Sequence, residues 1–277
     1  MTMRQLPVLG GHPQELGGTL RSDAWWVGPT ITVAVFSSFI AYATWAVFQA
    51  SHYYAAPYLS PLYSPLIFVK EGVAGGAPLK DAWFGAWPAW WPVFALMPMS
   101  PALLILPFPG AFRFTCYYYR KAYYRSFAAS PPGCAVSPGQ RPAYHGETRF
   151  LIFQNLHRYA LYFALAFVLI LGWDALQSFS REGHLGIGVG SIVLTINVVL
   201  IASYTFGCHS FRHLIGGRSD CMSCGEQTAK YKAWKGASWF NGRHMLFAWC
   251  SLIWVVVTDI YVRLVSMGVI KDLNTWG

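Results

Sequence analysis

Charge is what this chain of 277 residues most lacks: Asp, Glu, Lys and Arg make up 11% of it, where a soluble domain carries roughly a quarter. A soluble fold would scatter charges every few residues, yet here long stretches contain none, which points to lipid. No flavin or dinucleotide fingerprint is present, so the chain is not expected to carry the cofactor chemistry of a soluble dehydrogenase itself. There is no internal repeat or low-complexity stretch, which removes the inverted-repeat signature of many secondary transporters. No nucleic-acid motif accompanies the formal charge of +9, so membrane anchoring is preferred to nucleic-acid binding. The first twenty or so residues are polar and Gly-rich with no apolar core, so the first apolar block is expected to be retained.

What is present is apolar and aromatic, at 55% and 17% of the residues. The fold expected is all-α, an integral membrane bundle of about five transmembrane helices forming one anchor domain over 1–277, in the cell (plasma) membrane. A cytoplasmic N-terminal segment, 1–26, leads to spans at about 27–48, 88–112, 151–176, 187–214 and 244–265. Pro29 suits the first helical turn, and Trp25 and Trp26 suit interfacial depth. The 51–81 stretch, rich in Tyr, Pro and Gly, reads as an irregular external loop. Six prolines from Pro88 to Pro109 predict a kinked or broken second span. Gly186, Gly188 and Gly190 predict close helix contact at the start of the fourth. Basic residues gather between spans two and three (Arg113, Arg120, Lys121, Arg125, Arg141, Arg149) and between spans four and five (Arg218, Lys230, Lys232, Lys235, Arg243). Both segments are therefore expected to be cytoplasmic.

Cysteine and histidine share that bias. Cys116, Cys134, Cys208, Cys221 and Cys224, with His145, His157, His209, His213 and His244, fall at or near the cytoplasmic ends, against His52 and His184 outside. A reducing compartment argues against structural disulfides and leaves metal binding or packing. His209 and His213 stand one turn apart on one helix face and can converge on a single centre, whereas Cys208 points about 100° away from His209. Each histidine taken alone is more often an interfacial hydrogen-bonding residue. The Cys221-Met-Ser-Cys224 spacing suits a zinc knuckle or nothing at all. The run Tyr117, Tyr118, Tyr119, Tyr123, Tyr124 with Arg120, Lys121 and Arg125 is either an interfacial helix, a docking surface, or a source of phenol and guanidinium donors for a quinone.

Five blocks together carry a family resemblance: Arg113-Phe-Thr-Cys116-Tyr-Tyr-Tyr-Arg-Lys-Ala-Tyr-Tyr-Arg125, Pro131-Pro-Gly-Cys134-Ala-Val, Gln154-Asn-Leu-His157-Arg-Tyr, Cys208-His-Ser-Phe-Arg-His213-Leu-Ile-Gly-Gly217 and Asn241-Gly-Arg-His244-Met. From about Arg113 to Gly268 the chain resembles the membrane anchor subunit of succinate dehydrogenases of the actinobacterial type. The Cys221 and Cys224 pair lies outside that pattern.

The resemblance implies an electron-transfer anchor of succinate:quinone oxidoreductase, serving the respiratory chain and the tricarboxylic acid cycle. Its partners are flavoprotein and iron-sulfur subunits on the cytoplasmic face, a quinone of the menaquinone kind, the lipid bilayer, and further copies of the complex. It also implies a membrane-embedded Rieske-type [2Fe-2S] centre, with haem b as the alternative. Such a centre takes two thiolates on one iron and two imidazoles on the other, and the imidazoles raise its potential. The ligands expected are Cys116, Cys134, His209 and His213, with Cys208 and His244 in reserve. If Cys208 is a ligand, His213 is not, and His157 or His244 replaces it. Tyr119, Arg120 and Arg158 are the quinone candidates. A transporter or scaffold is the rival from another class, and it predicts charges at mid-depth.

Overall fold

In lipid every backbone N–H and C=O has to be satisfied within its own segment, so apolar runs of this length fold as helices. A computed structural model describes residues 16–88, 100–138, 149–217, 221, 224 and 228–276, and bears this out: the chain is an all-α membrane bundle. Four helices among the described residues are long and apolar enough to cross a membrane. They are α1 (Val27–Gln49), α5 (His157–Gln177), α6 (Val189–Phe206) and α9 (His244–Ser266). The remaining expected span, about 88–112, falls partly outside the described residues. Its described end is broken into α2 (Ala102–Ile105) and α3 (Pro107–Thr115), as the proline run requires.

Two compact units are distinguished, and α1 contributes its residues to Ser38 to one and those from Phe39 to the other. In the first unit, residues 17–21 run beside 134–137: Gly17 N–H donates to Ser137 O at 3.1 Å and Thr19 Oγ1 to Ala135 O at 2.7 Å. There α4 (Tyr117–Ala122) continues into a wide turn at Tyr123–Phe127, and Phe36 packs edge-on to Tyr119 at 5.2 Å.

The second unit holds α5, α6 and α9, together with the 51–81 segment. That segment is mostly irregular in backbone, as expected, but much of it is buried. A short hairpin, β1 (Tyr54–Ala55) with β2 (Tyr58–Leu59), introduces a core in which Tyr53, Leu62, Tyr63, Leu66 and Val69 are buried with Ala46, Val47 and Ala102. Tyr53 and Tyr63 stack at 4.3 Å, and the Tyr63 hydroxyl donates to the Ala46 carbonyl at 2.8 Å, serving the end of α1. Beside it Asp259 and Arg263, one turn apart on α9, form a buried ion pair at 2.6 Å. Asp259 also accepts from Tyr42 and Ser60, while Arg263 donates to the carbonyls of Ala46 and Ser51. These charges bind the loop to two helices.

The glycines before α6 do permit a close approach, but the partners are aromatic rings rather than a helix. A Cβ on Gly190 would lie 2.5 Å from the Tyr58 ring, and one on Gly186 would lie 2.5 Å from Trp276. A second hairpin, β3 (Ser180–Arg181) with β4 (His184–Leu185), and the C-terminal tail complete this end, where Trp276 Nε1 donates to the His184 carbonyl at 3.0 Å.

Candidate functional site

At the other end of α6 the chain does not run on to 214 as one span. Phe206 is followed by Gly207, and Cys208 takes up extended backbone, φ −64° and ψ 139°, before α7 (His209–Gly216) begins. The break places the Cys208 side chain at the N-terminus of α7, where its sulfur accepts from Ser210 N–H at 3.3 Å. Gly207 allows a close approach there, since a Cβ would meet the Phe240 carbonyl at 3.0 Å and His244 Nδ1 at 3.1 Å. Those neighbours belong to α8 (Ala229–Gly242), a basic helix not read from the sequence, and to the first residue of α9.

Cys208 is buried at 1% exposure, and its sulfur lies 3.0 Å from Nε2 of His157, the first residue of α5. The His157 ring stacks on Phe112 at 4.7 Å, Phe112 meets Tyr204 edge-on at 5.5 Å, and Tyr204 stacks on His244 at 4.9 Å. Arg113 lies over the Tyr204 ring at 4.7 Å and is held by the Ser251 hydroxyl at 2.9 Å. A thiol and two imidazoles thus stand at one end of α5, α6 and α9, walled by aromatic rings and overlooked by a fixed guanidinium.

The residues proposed from sequence are distributed differently. His209 and His213 do share a face of α7, with ring centroids 6.5 Å apart, but both are exposed. Cys116 is buried at the start of α4 and Cys134 is exposed, its carbonyl accepting from Arg21; both belong to the first unit. Tyr119 is buried against Phe36 and Tyr123, and Arg120 lies over the rings of Tyr117 and Tyr124. Arg158 is exposed and donates to the Tyr159 hydroxyl at 3.2 Å. Among the described residues no three side chains of His, Cys, Asp or Glu are gathered as a metal site. His145 lies outside the described residues. Contrary to the reducing-compartment expectation, Cys221 and Cys224 are joined by a disulfide. The sequence reading carried His157 in a resemblance block and as a replacement ligand, and did not single out Phe112 or Tyr204. The signal was the Gly207-Cys208 step, a helix break just before the His209 and His213 pair.

From residue 27 to residue 268 the chain matches the family described as actinobacterial succinate dehydrogenase subunit SdhC. It belongs to that family. A chain in a solved structure, the Mycobacterium smegmatis Sdh1 complex in the apo form, is 41% identical and superposes with a TM-score of 0.83 over 98% of each chain. Comparison with curated proteins finds no match. The resemblance read from the Cys, His and Tyr blocks therefore stands at the level of the SdhC family. The chain is an SdhC-type membrane anchor subunit.

The donors near α5 and α6 fit a mixed thiolate and imidazole centre in kind. Cys208 is of the soft-donor type, and His157 and His244 are imidazoles of the kind a Rieske-type centre would use, but the three make one thiol where such a centre takes two, and among the described residues they are not gathered as a metal site.

Proposed function

We propose that this subunit relays electrons from a soluble iron-sulfur partner to quinone on the cytoplasmic face, through a Rieske-type [2Fe-2S] centre to which Cys208, His157 and His244 contribute. The observation that carries this reading is the buried contact of Cys208 Sγ with His157 Nε2, in a chain of the SdhC family. When bound, such a centre supplies one-electron transfer at a potential raised by its imidazole ligands.

The chain's own residues do the rest. Phe112 and Tyr204 stack on the two imidazoles beside the buried Cys208, and such low-dielectric surroundings strengthen nearby electrostatic interactions. Arg113, anchored by Ser251, holds a positive charge beside the Tyr204 ring. The exposed Arg158 adjoins His157 and offers a guanidinium to a quinone carbonyl at the membrane surface.

The test is the intact complex, purified under mild detergent with its succinate-reactive flavoprotein. Succinate or dithionite reduction is expected to give a [2Fe-2S] paramagnetic signal that His157→Ala and Cys208→Ala each abolish, with flavin and partner subunits retained. A reduced haem b optical band without acid-labile sulfide assigned to this subunit would overturn the cluster reading. Failure to recover any succinate-reactive flavoprotein would overturn the role itself.

A further inference from the structure

Helix α8 carries Lys230, Lys232 and Lys235 and ends at Arg243, and no acidic residue occurs between Thr228 and Arg243. At 100° per residue, Lys232, Lys235, Trp239 and Arg243 fall along one stripe. All four are exposed, Trp239 at 51%.

Packing on the other side sets this register. Ala237 is buried, Arg212 lies over the Trp234 ring at 4.8 Å, and the Asn241 side-chain amide donates to the Gly207 carbonyl at 2.8 Å. Gly207 closes α6 and Arg243 precedes α9, so the C-terminal end of α8 sits level with the boundary of two apolar helices. Chemistry changes in order along the stripe. Lysines come first, then Trp239 with the Arg243 guanidinium 4.1 Å from its ring, then the exposed Met245 and Leu246 of the first turn of α9.

We infer that α8 lies on the membrane surface with this stripe against anionic phospholipid headgroups. Lys232, Lys235 and Arg243 meet the phosphates, and Trp239 marks the depth at which headgroups give way to acyl chains. Charge of one sign, graded into an indole and then into aliphatic surface, matches a lipid interface. The core of a protein interface is depleted in lysine instead.

Hydrogen-deuterium exchange of peptides covering 229–243 tests this in the intact complex. The complex is placed in nanodiscs of phosphatidylcholine alone, in nanodiscs of an equimolar mixture with phosphatidylglycerol, and in detergent. Exchange is expected to be several-fold slower in the mixture than in either other setting. Lys232→Gln with Lys235→Gln is expected to remove that difference, and Lys232→Arg with Lys235→Arg to keep it, which separates loss of charge from loss of fold. Equal protection in all three settings would mean that another subunit covers the stripe, and equal lack of protection would mean that nothing does. Either result overturns the proposal.

Discussion

At the scale of single residues, the buried charges on α9 are held by partners on other segments. Arg263 illustrates the energetics: at 4% side-chain exposure its guanidinium meets Asp259, Gln49 and the carbonyls of Ser51 and Ala46. Removing one member of a buried pair leaves an uncompensated charge and costs about 3–5 kcal/mol, whereas replacing both members costs far less. Asp259→Asn and Arg263→Met are each expected to lower the thermal midpoint of the purified complex strongly. The double variant is expected to be more stable than the sum of the two effects implies, and simple additivity would refute the coupling. The same reasoning explains why His157 was undervalued in sequence. A histidine at the start of a span is ordinarily an interfacial hydrogen bonder, and only the turn of α6 into α7 brings a thiol to 3.0 Å from its ring.

At the scale of elements, turns and tails define the ends of the bundle more than the helices do. Asp272, in the tail after α9, accepts from Tyr58 at 2.7 Å, from Tyr261, and from Gly190 N–H at 3.1 Å, so one carboxylate joins the hairpin, α9 and the start of α6. Burial alone would raise its pKa. The hydroxyl, amide and Asn274 donors outweigh that effect and hold it below the usual carboxylate range. Burial, with Asp272 beside it, pushes the Tyr58 phenol upward. A carboxyl with a depressed folded pKa contributes stability that is fully present above about pH 4 and is lost as pH falls through the folded value. Asp272→Asn is therefore expected to lower the thermal midpoint at neutral pH, and the gap from the native protein is expected to close on acidification toward about pH 2. A gap independent of pH would rule out the ionised carboxylate as the source.

Elements also separate what was legible from what was not. Helices long and apolar enough to cross a membrane, Val27–Gln49, Phe153–Gln177 and His244–Ser266, overlie the apolar runs read at 27–48, 151–176 and 244–265, because uninterrupted apolar length is a local property. The span placed at 187–214 was read too long. A single Gly in an apolar run is a weak break signal, and the structure ends α6 at Gly207, where α8 and α9 lie close. The 51–81 segment was read as an irregular loop because Pro, Gly and Tyr indicate turns locally, whereas its burial goes with α1 and α9 supplying acceptors for the Tyr63 and Ser60 hydroxyls.

At the scale of the whole molecule, the asymmetry of basic residues predicts a direction across the membrane. With 182–185 outside and α8 inside, His184→Cys in the β3 to β4 hairpin is expected to react with an impermeant maleimide added to intact cells. Lys232→Cys is expected to react only after permeabilisation. The reverse pattern would invert the topology and place the Cys208 and His157 site on the wrong side for cytoplasmic partners.

Membrane residence, helical class and membership of the SdhC family were all determined by sequence, because each follows from composition, run length or contiguous blocks. Which of those residues meet was decided only by tertiary structure. His209 and His213 share a helix face by local geometry yet lie exposed, while Cys208 and His157, on different helices, are brought into buried contact. Periodicity fixes angles within one helix. Contact between helices depends on where each ends, and those ends are set by packing between segments far apart in the chain.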